Sequence, residues 1–153
     1  MEAKDLLNYF NEKLFISDLK ATTKEEALIE IVTEFEKLHL IKTKDILLEM
    51  LRQREALGTT GIGKGIAIPH GRTTVVKDVM IAFAKSNAGL DYSSMDDQPV
   101  HLIFMVIAPP VEESNKYLPV LGKLVEVLNN HSTREKIMAV KTYDELIKCM
   151  SEV

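Results

Sequence analysis

The residues from Arg54 to Arg72, Arg-Glu-Ala-Leu-Gly-Thr-Thr-Gly-Ile-Gly-Lys-Gly-Ile-Ala-Ile-Pro-His-Gly-Arg, are those whose types and spacing suit chemistry. Five of the chain's seven glycines fall here, at 58, 61, 63, 65 and 71. Glycine loses more backbone freedom on folding than any other residue, so such a cluster implies tight turns or amides brought close to a ligand. His70 stands between a stiff proline and a flexible glycine, and imidazole is the side chain best suited to nucleophilic or proton chemistry near pH 7. Arg54 lies sixteen residues earlier. An imidazole near a guanidinium and exposed amides suits a phosphoryl group. The ring supplies the nucleophile, and the cation and N–H dipoles stabilise the equatorial oxygens. Without an Asp or Ser partner at a recognisable spacing, a hydrolytic triad has little support.

Gly58-Thr-Thr-Gly-Ile-Gly-Lys64 matches the G-x-x-x-x-G-K part of a phosphate-binding loop, but Gly65 stands where Ser or Thr must hold magnesium. The stretch also leaves a predicted helix and enters Ile66-Ala67-Ile68, the reverse of the order such a loop needs, so nucleotide binding is nearly excluded. The other histidines read as structural. His39 falls at a helix end, His101 begins an apolar strand, and His131 precedes a helix cap. Cys149 is the only cysteine, too few for an internal disulfide or a metal set. No metal or cofactor is expected.

These residues need a scaffold, and capping boxes mark much of it. Thr23-Lys-Glu-Glu26 opens a helix whose apolar positions Ala27, Ile31, Phe35 and Leu38 recur at helical spacing, ending near His39. Thr43 caps a second helix from about Lys44 to Arg54, striped by Ile46, Leu47, Met50 and Leu51. Arg54 continues that stripe at i+4 from Met50. Two readings of it stand: a stem snorkelling its charge to water, or a guanidinium held over an anion site. Leu14-Phe-Ile16, Val79–Ala84 and Val100–Ala108 read as strands. The last is apolar on both faces and therefore central. The link Lys85–Pro99 is polar, with an edge strand expected around Leu90-Asp91-Tyr92. A helix from Ser114 or Asn115 to about Leu128 follows, then two more boxes, Ser132–Glu135 and Thr142–Glu145. A sheet buried between helices on both faces accommodates this order.

At 153 residues with 46% hydrophobic and 27% charged content, the chain is expected to form one domain, residues 1–153, with a substantial core. A net charge of −4 argues against nucleic-acid binding by phosphate neutralisation. No apolar run approaches the roughly 20 residues that span a bilayer. A cytoplasmic, soluble protein is expected.

The segment Gly61-Ile-Gly-Lys-Gly-Ile-Ala-Ile-Pro-His70-Gly resembles the signature of the IIA domains of the fructose/mannitol class of the bacterial phosphoenolpyruvate-dependent sugar phosphotransferase system, which includes the nitrogen-regulatory IIA proteins. Arg54-Glu-Ala-Leu57 matches that family's R-E-x-L segment, and Asp97-Gln-Pro-Val-His-Leu102 its strand entry. The resemblance covers nearly the whole chain. It implies an α/β/α sandwich, with a mixed central sheet flanked by helices on both faces. It implies phosphorylation of Nε2 of His70, with Nδ1–H held by a backbone carbonyl. Phospho-HPr is the implied donor and a IIB domain the implied acceptor. Arg54 steadies the phosphate, and Thr60 contributes a hydroxyl or shapes the turn. In the regulatory alternative, the phosphorylation state controls binding to a regulatory partner. One position departs from the family. Tyr117 stands where members usually carry a second histidine, and its hydroxyl donates a hydrogen bond but carries no charge near pH 7.

Overall fold

Thr23 opens the first helix as its capping box predicts, its hydroxyl accepting from the Glu26 N–H at 3.3 Å. In the computed structural model, which describes residues 1–153, this helix α1 spans Lys24–Lys37. His39 follows in a left-handed conformation, φ 57°. Thr43 caps α2 (Lys44–Ala56), and Thr142 caps α5 (Tyr143–Ser151). The box expected at Ser132 is not used. Asn130 caps α4 (His131–Met138) instead, its side chain accepting from the Thr133 N–H at 2.9 Å. Asparagine caps at least as well as serine, and starting there lets Thr133 turn inward, where it is buried. The remaining helices are α3 (Tyr117–Leu128) and a 3₁₀ segment, Ala3–Tyr9.

Six strands form one mixed sheet: β1 (Phe10–Ile16), β2 (Gly61–Gly63), β3 (Ile66–Ala67), β4 (His70–Arg72), β5 (Met80–Leu90) and β6 (Val100–Ala108). The order is β1-β5-β6-β3-β2, with β4 also on β6. β6 runs antiparallel to β5 and parallel to β3 and β4, which makes it the central strand expected. Its side chains alternate between two cores. Ile103, Met105 and Ile107 face α1 and α2, whereas Leu102, Phe104, Val106 and Ala108 face α3, α4, α5 and the 3₁₀ segment. The sandwich with helices on both faces is therefore present.

Two strand boundaries differ from the sequence reading. β5 continues through the polar Lys85-Ser86-Asn87 to Leu90, with a register shift against β6 between Lys85 and Leu90. Lys85 stays in the strand because its buried stem carries the ammonium to the Val140 carbonyl at 3.0 Å. The edge strand expected around Leu90–Tyr92 reduces to a bridge between Asp91 and Thr23, which ties the start of α1 to the sheet.

Candidate functional site

The glycine-rich run folds as a hairpin. β2 and β3 pair antiparallel, and Lys64 and Gly65 between them both have positive φ, 59° and 81°. That is the backbone a two-residue hairpin turn of matching twist requires. The Lys64 N–H donates to Asp96 at 2.9 Å. Gly61 lets the hairpin approach Ser94, whose Cα would lie 2.9 Å from an added Cβ. β3 and β4 then continue one extended path along β6, broken at Ile68-Pro69 because proline has no N–H to give the ladder.

His70 pairs with Val106 and shares its face of the sheet, toward α3. Nδ1 of His70 lies 2.7 Å from the Ile68 carbonyl oxygen. A carbonyl only accepts, so Nδ1 carries the proton and the neutral ring's lone pair is on Nε2. Gly71 is turned to the opposite face, where Met50 of α2 fills the space a side chain would take. This close packing sets α2 against β4, and Arg54 lies one helical turn beyond Met50. The Arg54 Nη1 donates to the Gly58 carbonyl at 2.9 Å. His70 and Arg54 line one open depression of about 540 Å³, with Thr60, Ile62, Met95, Leu121 and Val125. No group of three or more His, Cys, Asp or Glu side chains converges here or elsewhere to hold a metal.

Thr60 is buried, and its hydroxyl proton is committed to the Glu55 carboxylate. The same carboxylate accepts the Thr60 N–H at 3.1 Å and the Tyr92 O–H at 3.3 Å, and pairs with Lys24 Nζ at 3.1 Å. Lys24 also lies over the Tyr92 ring. Burial, then the Glu55 charge, push the Tyr92 phenol far above its usual pKa. A buried carboxylate is tolerated only when paired and hydrogen-bonded. Here the network pins the loop after α2, and with it the carbonyl that orients Arg54. The single hydroxyl proton of Thr60 is thus already donated within the turn.

Tyr117 begins α3 and is buried. Burial raises its pKa, and the charges of Arg72 and Arg54 pull it back. The Arg72 guanidinium stacks over the Tyr117 ring, 4.5 Å from the centroid. Its Nη1 donates to the Pro109 carbonyl at 2.9 Å and lies 3.5 Å from Glu112 Oε2. Of the residues that sequence reasoning placed in one site, Arg54, Thr60 and His70 line the depression together; Tyr117 is not in that lining and stands at the start of α3 against Arg72. Sequence reasoning did not single out Arg72, which packs on Tyr117, or Glu55, which holds the loop of Thr60. The one available signal for Arg72 was its i+2 spacing from His70 on a strand, which puts both on one face. His101 lies outside the depression, its Nδ1 2.9 Å from the Ser86 carbonyl.

Residues 8–153 match the family described as "Phosphoenolpyruvate-dependent sugar phosphotransferase system, EIIA 2". The chain is 33% identical over 152 residues to the "PTS system fructose-specific EIIABC component" of Bacillus subtilis; the match covers 99% of this chain and 23% of that longer protein. It is 30% identical over 153 residues to the "PTS system fructose-specific EIIA component" of Haloferax volcanii, covering 100% of this chain and 99% of the relative. The crystal structure of "Nitrogen Regulatory Protein IIA-Ntr from Neisseria meningitidis" superposes with a TM-score of 0.84 at 29% identity, covering 94% of this chain and 97% of that one.

Proposed function

We propose that this chain, which belongs to the EIIA 2 family of the phosphoenolpyruvate-dependent sugar phosphotransferase system, is a phosphocarrier that takes a phosphoryl group on Nε2 of His70 from phospho-HPr and passes it to a IIB domain. The observation that carries the reading is the His70 Nδ1–H···O=C Ile68 bond, which leaves Nε2 as the free nucleophile beside Arg54. The Nε2 lone pair forms the new N–P bond as the bond from phosphorus to the donor's ring nitrogen breaks, and that nitrogen keeps the electron pair. In the onward step Nε2 of His70 is the leaving group. Arg54 meets the charge spread over the phosphoryl oxygens. Thr60 acts through the shape of the loop.

The surroundings suit protein partners. Ile62, Met95 and Val125 line the depression while exposed at 41%, 72% and 42%, and Leu57 at the end of α2 is 85% exposed. Apolar side chains gathered around a polar site mark a surface that another protein covers. No helix is long and apolar enough to cross a membrane.

The test is intact mass after incubation with phosphoenolpyruvate, its kinase and HPr. An acid-labile phosphoryl adduct is expected on the wild type and absent from His70→Ala. No adduct, or one that survives the substitution, sinks the proposal. A regulatory role is the second reading, favoured by the close superposition on a nitrogen-regulatory protein. There the charge on His70 would switch binding of a regulatory partner at the same rim. Capture experiments with wild type, phosphorylated and not, separate the two. A partner retained in only one state supports regulation, and rapid discharge by a IIB domain with no such partner supports transport.

A further inference from the structure

The depression is short of positive charge for the group it is proposed to hold. A phosphoryl group near neutral pH brings three acceptor oxygens and a charge approaching −2. Arg54 is the only cation lining the depression. Lys24 is spent on Glu55, and the Thr60 proton is donated to the same carboxylate. Tyr117 is neutral, and burial makes its hydroxyl harder to ionise.

Arg72 is not in the lining of the depression but stands next to it on β4. It shares β4 with His70 at i+2, so the two side chains leave the same face roughly 6.6 Å apart along the strand. Its guanidinium is held on three sides, by the Tyr117 ring, the Pro109 carbonyl and Glu112. Only Nη1 is engaged; Nε and Nη2 have no protein partner. The side chain is about one-third exposed, 36%, so solvent and incoming groups reach it. A planar, always-charged fork with its Nε–Nη2 edge free matches phosphoryl oxygens better than a point charge does.

Building on the phosphocarrier reading, we propose that Arg72 is a second phosphoryl-binding arginine of this site, and that Tyr117 acts as the aromatic platform that holds it. In this arrangement the ring of Tyr117, rather than its hydroxyl, is what matters to transfer. Glu112 sets the resting direction of the guanidinium through Nη1 and leaves the remaining donors for phosphate. The bond changes at phosphorus are those of the carrier step, and Arg72 takes no proton and forms no bond to phosphorus.

The test is single-turnover phosphoryl transfer from phospho-HPr, with donor concentration varied to separate the saturating rate from apparent affinity. Arg72→Gln is expected to lower the saturating rate about 100-fold, the usual scale for losing one preorganised donor. Half-saturation should move little. Arg72→Lys should recover only part of the rate, because a lysine keeps the charge without the stacked fork. Tyr117→Phe, which keeps the platform, should stay within about threefold of wild type. Tyr117→Leu should fall as far as Arg72→Gln, and the two together should lose little more than either alone, as expected of coupled residues. Circular dichroism and thermal melts check that each variant is folded. A rate for folded Arg72→Gln within twofold of wild type overturns the proposal. So does a Tyr117→Phe variant as slow as Tyr117→Leu, which would return the role to the hydroxyl. If wild type itself takes no phosphoryl group from phospho-HPr, the carrier reading falls first; a charged wild type with an unimpaired Arg72→Gln variant refutes this inference alone.

Discussion

Gly71→Ala tests whether the close approach of α2 to β4 is what delivers Arg54 to His70. A Cβ at position 71 would stand 2.9 Å from Met50 Cε, with Sδ closer still, against the 3.4–4 Å of ordinary contact. Met50 Sδ must therefore yield by more than about an ångström, by a rotamer change or a shift of its helix. Overpacking of this kind costs typically 1–3 kcal/mol. For a chain of this length the midpoint of the thermal melt should fall by roughly 3–8 °C. If the helix moves, Arg54, one turn past Met50, moves with it. A displacement near 1 Å at a reacting centre costs on the order of 100-fold in rate, so transfer should slow about tenfold or more. Met50→Ala should relieve the clash. In a urea-melt double-mutant cycle the two substitutions should couple by at least about 1 kcal/mol, the double mutant being more stable than the sum of the singles. Transfer kinetics on the same four proteins complete the assay. Additivity within about 0.5 kcal/mol would show that Met50 is not what the glycine accommodates. Unimpaired transfer in a destabilised Gly71→Ala would refute the link from packing to Arg54.

Other substitutions read different layers of the same design. Arg54→Ala should leave the melt within about 0.5 kcal/mol of wild type, since the head group sits at the rim, and slow phosphoryl transfer about 100-fold in rapid-quench experiments. Thr60→Val removes a buried hydroxyl from the Glu55 carboxylate and Tyr92; urea unfolding should show a loss of about 1–3 kcal/mol, with a smaller effect on transfer than Arg54→Ala. All four tyrosines have pKa values raised by burial first, Tyr92 most of all. The folded state therefore keeps its phenolic protons where the unfolded chain releases them. Stability should be unaffected by these groups below about pH 10 and fall above it, by about 1.4 kcal/mol per pH unit for Tyr92. Urea melts at pH 9, 10 and 11, with tyrosinate absorbance as a second readout, check this; a flat profile would contradict the burial of Tyr92.

What the chain discloses locally, it discloses well. Thr23, Thr43 and Thr142 mark helix starts because a cap is a contact between residues two or three apart. The apolar run Val100–Ala108 announces a central strand because both its faces are covered. His70 stands out through its glycine-rich approach, and Arg54 through its place on the α2 stripe. The hairpin before His70 was less legible, because a lysine, not the usual Asn or Asp, takes the first positive-φ position of its turn. The network around Glu55 depends on Lys24 and Tyr92, contributed by distant parts of the chain. Arg72 meets Glu112 across an entire strand and its return. No periodicity or cap records such pairings; they exist only once β5 and β6 have brought the segments together.

The bond between His70 Nδ1 and the Ile68 carbonyl has a consequence for traffic through the site. One nitrogen is permanently occupied, so the ring offers a single berth. In the proposed carrier role, donor and acceptor use it in turn, each leaving before the other arrives. Steady-state rates should therefore give parallel double-reciprocal lines, and an excess of uncharged donor should slow delivery to the acceptor by standing in its place. The throughput of such a carrier is set by how quickly each visitor departs.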